Sequence, residues 1–282
     1  MAETGDLLVA SGVVVAYGGR RTLLGRSPGV PVLHGVDVRI GRAETVGIVG
    51  ESGSGKTTLA RALIGLVRPS AGSIRFEGTD ITALDEAAMR PLRRRMQMIF
   101  QDPMSSLNPR HTIRRILAEP MLLHRVEPDR QAAERAAAAV ADRVGLPRAA
   151  LDRYPHELSG GQRQRVGIAR AVALKPDFVL ADEIVSGLDV STQAQVLRLL
   201  GELTREMGLA LAFISHDLSV IRAVCDRIYV LKGGRVVEEG ACERVFDAPQ
   251  DPYTRALLDA IPLPEIDPGW LARDPAGSAG GL

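Results

Sequence analysis

Eight consecutive residues, Gly50-Glu51-Ser52-Gly53-Ser54-Gly55-Lys56-Thr57, offer the groups that a polyphosphate needs. Glycines let backbone N–H groups curl around phosphate oxygens. The Lys56 ammonium reaches the outer phosphates, and Thr57, with Thr58 beside it, brings a hydroxyl to Mg2+ at the positive start of a helix. An ordinary glycine turn is the plain alternative. A second kind of chemistry lies in Phe178-Val179-Leu180-Ala181-Asp182-Glu183, where two adjacent carboxylates end an apolar run of strand length. Ligands of doubly wound sheets sit at such strand ends. Asp182 suits holding Mg2+ through water, and Glu183 suits orienting or deprotonating an attacking water, because in-line phosphoryl transfer depends on positioning. A solvated strand end reads the same way when taken alone.

The elements around these residues have the order that a nucleotide site requires. Thr45 to Val49 is a short apolar run entering the glycine loop, and Leu59, Leu63 and Leu66 follow at helical spacing: strand, loop, helix. Phe178 to Ala181, Leu209 to Ile214 and Arg227 to Leu231 are further strand-length runs. They alternate with helical stretches such as Thr192 to Met207, as a mostly parallel sheet demands. Ahead of them, Leu7 to Val15 and Val32 to Ile40 alternate in polarity like strands of an antiparallel sheet, with Gly18 to Pro31 as their loop. Met104 to Glu157 reads mostly as helix, clearest over Gln131 to Val144, with breaks at Pro109, Pro120 and Pro128. The fold expected is α/β, with an inserted helical subdomain at 103–161 inside a domain of 1–260. The stretch 261–282, rich in proline and glycine, is expected to be a loosely packed tail.

Leu158-Ser159-Gly160-Gly161-Gln162-Arg163-Gln164-Arg165 places a serine and two glycines ahead of a helix running through Ile168 and Ala171. A helix N-terminus attracts anions. With the two motifs above, this segment resembles the signature sequence of the ABC ATPase family, and the resemblance extends from about Leu7 to Pro262. It implies a P-loop ABC ATPase core in which Ser159, Gly160, Gly161 and Gln162 present a hydroxyl, backbone N–H groups and a helix dipole to the γ-phosphate of ATP. Gln101, in Ile99-Phe100-Gln101-Asp102-Pro103, is similar to the glutamine that contacts Mg2+ or the attacking water. Ser186-Gly187-Leu188-Asp189 looks like the loop that meets an opposite subunit, and His216, in Ile214-Ser215-His216-Asp217, like the switch histidine that reads the γ-phosphate. Tyr17 is placed like the aromatic residue on which adenine stacks. The family usually has Pro where this chain has Ile184 and often Ala where it has Gly187, which alters backbone freedom and leaves Glu183 in place.

The resemblance also implies partners. Each ATP is enclosed by the phosphate loop of one subunit and the signature of a second, the same chain or a different ATPase, beneath membrane permease subunits docked near Gln101 and Met104. An extracytoplasmic solute-binding protein acts indirectly. Phe100-Gln101-Asp102-Pro103-Met104-Ser105-Ser106-Leu107-Asn108-Pro109 and Asp251-Pro252-Tyr253-Thr254-Arg255-Ala256-Leu257-Leu258 are similar to motifs of the oligopeptide, dipeptide and nickel importers. The implied place is the cytoplasmic face of the membrane, and the transported solute is not legible. Two rivals are a soluble ABC ATPase acting on ribosomes or DNA, and an ATP-binding switch subunit paired with a different ATPase.

Bulk properties fit this frame. The 282 residues are 45% hydrophobic, enough for a sizeable core. Thirty-five basic against 34 acidic side chains give +1, no electrostatic case for wrapping nucleic acid. Cys225 and Cys242 make neither a disulfide framework nor a metal-site spacing, so a reducing compartment and no iron–sulfur centre are expected. No apolar run approaches the ~20 residues that span a bilayer, and Met1 to Gly12 lacks the pattern of an export signal. His34, His111, His124 and His156 and the run Arg93-Arg94-Arg95 are read as surface or packing residues.

Overall fold

The computed structural model describes residues 5–18, 21–22, 25–26 and 29–260. The first half forms β1 (Asp6–Tyr17), the short pair β2 (Arg21–Thr22) and β3 (Gly25–Arg26), β4 (Val30–Gly41), β5 (Thr45–Val49), α1 (Lys56–Leu63), β6 (Ala71–Phe76), β7 (Thr79–Asp80), α2 (Glu86–Arg95) and β8 (Met96–Ile99). A helical run follows: α3 (Pro103–Ser106), α4 (Ile113–Leu123), α5 (Arg130–Arg143), two short 3-10 turns and α6 (Gly160–Val172). The chain then alternates through β9 (Phe178–Asp182), α7 (Val190–Met207), β10 (Ala210–Ile214), α8 (Leu218–Val224), β11 (Arg227–Lys232) and β12 (Arg235–Ala241), and ends in α9 (Cys242–Asp247) and α10 (Pro252–Asp259).

Two sheets make the core. One is antiparallel in the order β4-β1-β6-β7; the other has the order β12-β11-β5-β10-β9-β8, parallel except for β12 against β11. Successive side chains of a strand point to opposite faces, and the parallel strands use both. Val46 and Ile48 of β5, Phe178 and Leu180 of β9, and Ala210, Ala212 and Ile214 of β10 join one cluster with the antiparallel sheet and α1. Val49, Val179, Ala181, Leu211 and Phe213 join the other, with α4 to α8. A strand buried on both faces needs an unbroken apolar run, which is why β5, β9 and β10 have no polar alternation; each fully buried aliphatic side chain contributes ~1.5–3 kcal/mol. Tyr229 fastens the layers: its hydroxyl accepts from Arg39 N at 3.0 Å and donates to Arg39 O at 3.1 Å.

Several expectations need correction. Gly18 to Pro31 is not one loop, since β2 and β3 pair within it and β4 already begins at Val30. Leu66 lies past the end of α1 and is exposed: Gly65 turns left-handed at φ 70, and Leu66 N–H closes on Arg61 O at 2.8 Å. Pro120 does not break the helix but sits inside α4, where buried Leu117, Ala118 and Met121 hold the segment in place, so packing overrides local propensity. The 161 boundary falls in the first turn of α6, which packs on both β8 and the preceding helices. Arg95 is more than a solvated face: it pairs with Glu77 and, at 2.6 Å, with Asp177. The expectation for 261–282 lies outside the described residues.

Candidate active site

The glycine loop leaves the end of β5, a strand buried over its full length between β11 and β10. Gly50, Gly53 and Gly55 have φ of 148°, 79° and 103°, and a Cβ on Gly50 would stand 2.1 Å from Leu231 O, so only glycine fits there. Helix α1 starts at Lys56 with neither a side-chain cap nor an acidic residue in its first turn, which leaves its N–H groups facing an open cleft. Val32, Ser52, Gly53, Gly55, Lys56, Thr57, Thr58, Glu183 and His216 line that cleft of about 350 Å³. Lys56 is 6% exposed, and its ammonium donates to Gly50 O at 2.7 Å and Glu51 O at 2.8 Å. Burial lowers its pKa, against the opposing pull of Glu183, Asp182 and Glu51. Ser54 is buried behind the loop, with no partner for its hydroxyl among the described residues.

The carboxylates sit across from the lysine. Asp182 ends β9 beside Ile214 of β10, is 5% exposed and has no hydrogen-bond partner for Oδ1 among the described residues. Burial raises its pKa, the Glu183 charge adds to this, and Arg61 and Lys56 oppose it. Asp182 offers a buried carboxylate oxygen without a donor, next in the chain to the Glu183 that lines the cleft with Thr57, and such hard oxygens are what Mg2+ takes when substrate phosphates complete its shell. Among the described residues no cluster of His, Cys, Asp and Glu could hold a metal by itself. Glu183 is left-handed at φ 48, pinned by its N–H to Ile214 O at 3.0 Å. Gln101, in the loop after β8, donates Nε2 to Glu183 Oε2 at 2.9 Å, and His216 Nδ1 lies 3.7 Å from Oε1.

The remaining sequence-predicted residues stand apart from this cleft. Ser159 caps α6, its hydroxyl accepting from Gln162 N at 3.3 Å while Gln162 Oε1 accepts from Ser159 N at 3.1 Å. Gly160 is open to space, and a Cβ on Gly161 would stand 2.9 Å from Thr192 Cγ2. None of these four lines the phosphate cleft. Asp189 caps α7, accepting from Thr192 N at 2.9 Å; the hydrogen bonds of Ser191 and Thr192 hold its carboxyl well below the usual range. Ile184 is buried, and Gly187 takes φ 76. Tyr17 ends β1 and is 44% exposed, unstacked against any ring among the described residues.

Sequence reasoning missed Val32 in the lining, Arg61 beside Asp182, and two braces behind the loop: Gly234 N–H to Ser54 O at 2.9 Å and Glu51 N–H to the Tyr253 hydroxyl at 3.1 Å. Tyr253 was visible only as part of a resembling motif, with no sign of what it touches.

Comparison with known proteins places these features. Residues 33–186 match the family described as ABC transporter. A putative peptide import ATP-binding protein of Brucella ovis is 52% identical over 242 residues, 86% of this chain and 76% of that protein. The oligopeptide transport ATP-binding protein OppF of Escherichia coli is 48% identical over 235 residues, 83% of this chain and 70% of that one. Among solved structures, cbiO1 from Clostridium perfringens, part of the transporter complex cbiONQ, superposes with a TM-score of 0.76 at 27% identity, covering 86% of this chain and 92% of that one. A dimeric post-hydrolysis state of the cassette MJ0796 bound to ADP and Pi gives 0.74 at 29%, covering 83% and 98%.

Proposed function

The chain belongs to the ABC transporter family, and from that membership we propose that it is the ATP-hydrolysing subunit of a peptide importer, acting at the cytoplasmic face of a membrane through permease partners. The observation that carries the reading is one cleft in which the Lys56 ammonium and the open start of α1 face Glu183 and His216. Peptide import is named for the Brucella and Escherichia relatives, and their identity over most of this chain supports extending it here. No helix among the described residues is long and apolar enough to cross a membrane, which fits a subunit that reaches the bilayer through others.

In this reading Lys56 exchanges its two carbonyl partners for the β- and γ-phosphates, and the N–H groups at the start of α1 take the phosphate oxygens. Thr57 and Asp182 would hold Mg2+, with Gln101 close by, and the ion when bound would supply positive charge against that building on the phosphates. Glu183 accepts the proton of the attacking water or orients it, Gln101 fixes the carboxylate, and His216 on the other carboxylate oxygen reads the γ-phosphate. Tyr17 stacks on adenine.

Ser159 and its neighbours do not line the cleft of their own chain. They serve a second subunit: its signature closes on this phosphate loop, and the Asp189 loop lies at the seam. Closure is a population shift, driven because ATP binds the closed pair better than the open one. The dimeric ADP-bound relative supports this arrangement. The test is a Glu183→Gln chain on a sizing column: Mg-ATP shifts it from monomer to dimer and ADP does not. A chain that stays monomeric with saturating ATP refutes the sandwich.

A further inference from the structure

The root of the phosphate loop is held by a helix at the far end of the described chain. Tyr253 sits in the first turn of α10, which starts behind the Asp251 cap, Asp251 Oδ1 accepting Tyr253 N at 2.7 Å. Glu238 of β12 anchors that start, its carboxylate accepting Gln250 N at 2.8 Å and Asp251 N at 3.1 Å. The Tyr253 ring is 8% exposed with the Lys232 ammonium 4.5 Å from its centroid. From this seat the hydroxyl accepts Glu51 N–H at 3.1 Å.

The same residue is also held at its carbonyl. Glu51 O accepts from Ser54 N at 3.1 Å and from Lys56 Nζ at 2.8 Å. In the reading above, ATP draws Lys56 away from that carbonyl, so the loop loses one of its own fastenings at the moment it must keep shape. The Tyr253 bond is on the N–H side, and Tyr253 is not among the residues that line the cleft.

We propose that Tyr253 is a positioning residue for nucleotide binding: α10 braces the Glu51 peptide and thereby keeps the phosphate loop in its binding-competent form, with and without Lys56 on the carbonyl. The inference rests on the nucleotide reading of this cleft. Apparent affinity scales with the fraction of molecules whose loop is competent, so loss of the brace weakens binding without touching the reacting groups. A C-terminal helix far from the chemistry thereby acquires leverage over ATP capture.

The test uses the full chain and Tyr253→Phe, which keeps the ring, its burial and the Lys232 contact and removes only the hydroxyl. Calorimetric titration with Mg-ATP gives a dissociation constant about fivefold higher for the variant, the size of one neutral hydrogen bond. The value of kcat at saturating ATP stays within twofold, so the loss falls on KM. Amide hydrogen exchange at Glu51 quickens in the variant while the amides of β5 keep their protection, which separates a loosened loop from a loosened fold. Equal affinity in the two chains, a loss confined to kcat, or an unchanged Glu51 amide overturns the proposal. A parent chain that does not bind Mg-ATP overturns instead the nucleotide reading beneath it.

Discussion

Gln101 and Glu183 meet directly: the amide Nε2 donates to Oε2 at 2.9 Å, joining the loop after β8 to the end of β9. Since Glu183 also carries a left-handed backbone, its carboxylate is aimed by both the main chain and the amide. Gln101→Ala removes the amide and leaves the charge. ATPase kcat falls about tenfold to 100-fold, consistent with loss of one hydrogen bond to a charged group, and Kd for ATP moves less than twofold. Steady-state phosphate release with a parallel binding titration measures both.

Ser159 gives the sharpest test of shared catalysis. Ser159→Arg leaves ATP binding by the isolated chain within about threefold, because the residue does not line that chain's own cleft. Turnover drops by about 100-fold or more, since developing charge on the phosphate loses its donors. The lost helix cap costs about 1 kcal/mol of stability. Binding lost in step with turnover would show that the serine acts within its own chain.

Asp182→Asn separates metal binding from folding. Burial raises the Asp182 pKa, so its charged form is disfavoured in the folded protein. The amide removes that penalty, and the nucleotide-free variant unfolds at a temperature equal to or above the parent's at pH 7. The Mg2+ concentration for half-maximal ATPase rises about tenfold or more, as an oxygen anion near the ion is lost. Thermal denaturation without nucleotide and a magnesium titration check the two halves.

Glu77 sets an acid limit on stability. Hydrogen bonds from Arg95 first, then Arg42, lower its pKa from 4.5 to about 2. The unfolded chain therefore takes up this proton at higher pH than the folded one. The stabilisation is fully present above about 4.5 and is lost as pH falls toward 2. Glu77→Gln lowers stability at pH 7 by about 1–2 kcal/mol, a figure discounted for the partly exposed carboxylate. The gap between parent and variant narrows at pH 3.5 in urea titrations; a gap of constant width would rule out the linkage.

What could be read in advance was what lies contiguous in the chain. Gly50 to Thr57, Asp182-Glu183 and Ser159 to Gln162 each carry their chemistry in a few neighbouring residues, and the doubly buried strands β5, β9 and β10 announce themselves as apolar runs. Strands such as β8, only four residues and rich in methionine, and β6, with Arg75 in its middle, lack both β-branched enrichment and clean alternation. Helix α2 hides behind Pro91 and four arginines. The contact of Glu51 with Tyr253 spans 202 residues and has no periodic signal at all. Val32 gave no hint because its place in the lining depends on how β4 passes the loop.

Strand β5 is clasped on both edges, by β11 and by β10, in continuous parallel register. Moving it by a single residue would turn Val46 and Ile48 out of one apolar layer and Val49 out of the other. The mount beneath the phosphate loop is thus locked in register by both its edges and both its faces. The closure proposed above therefore has to be carried by the outlying helices, with this anvil kept in register.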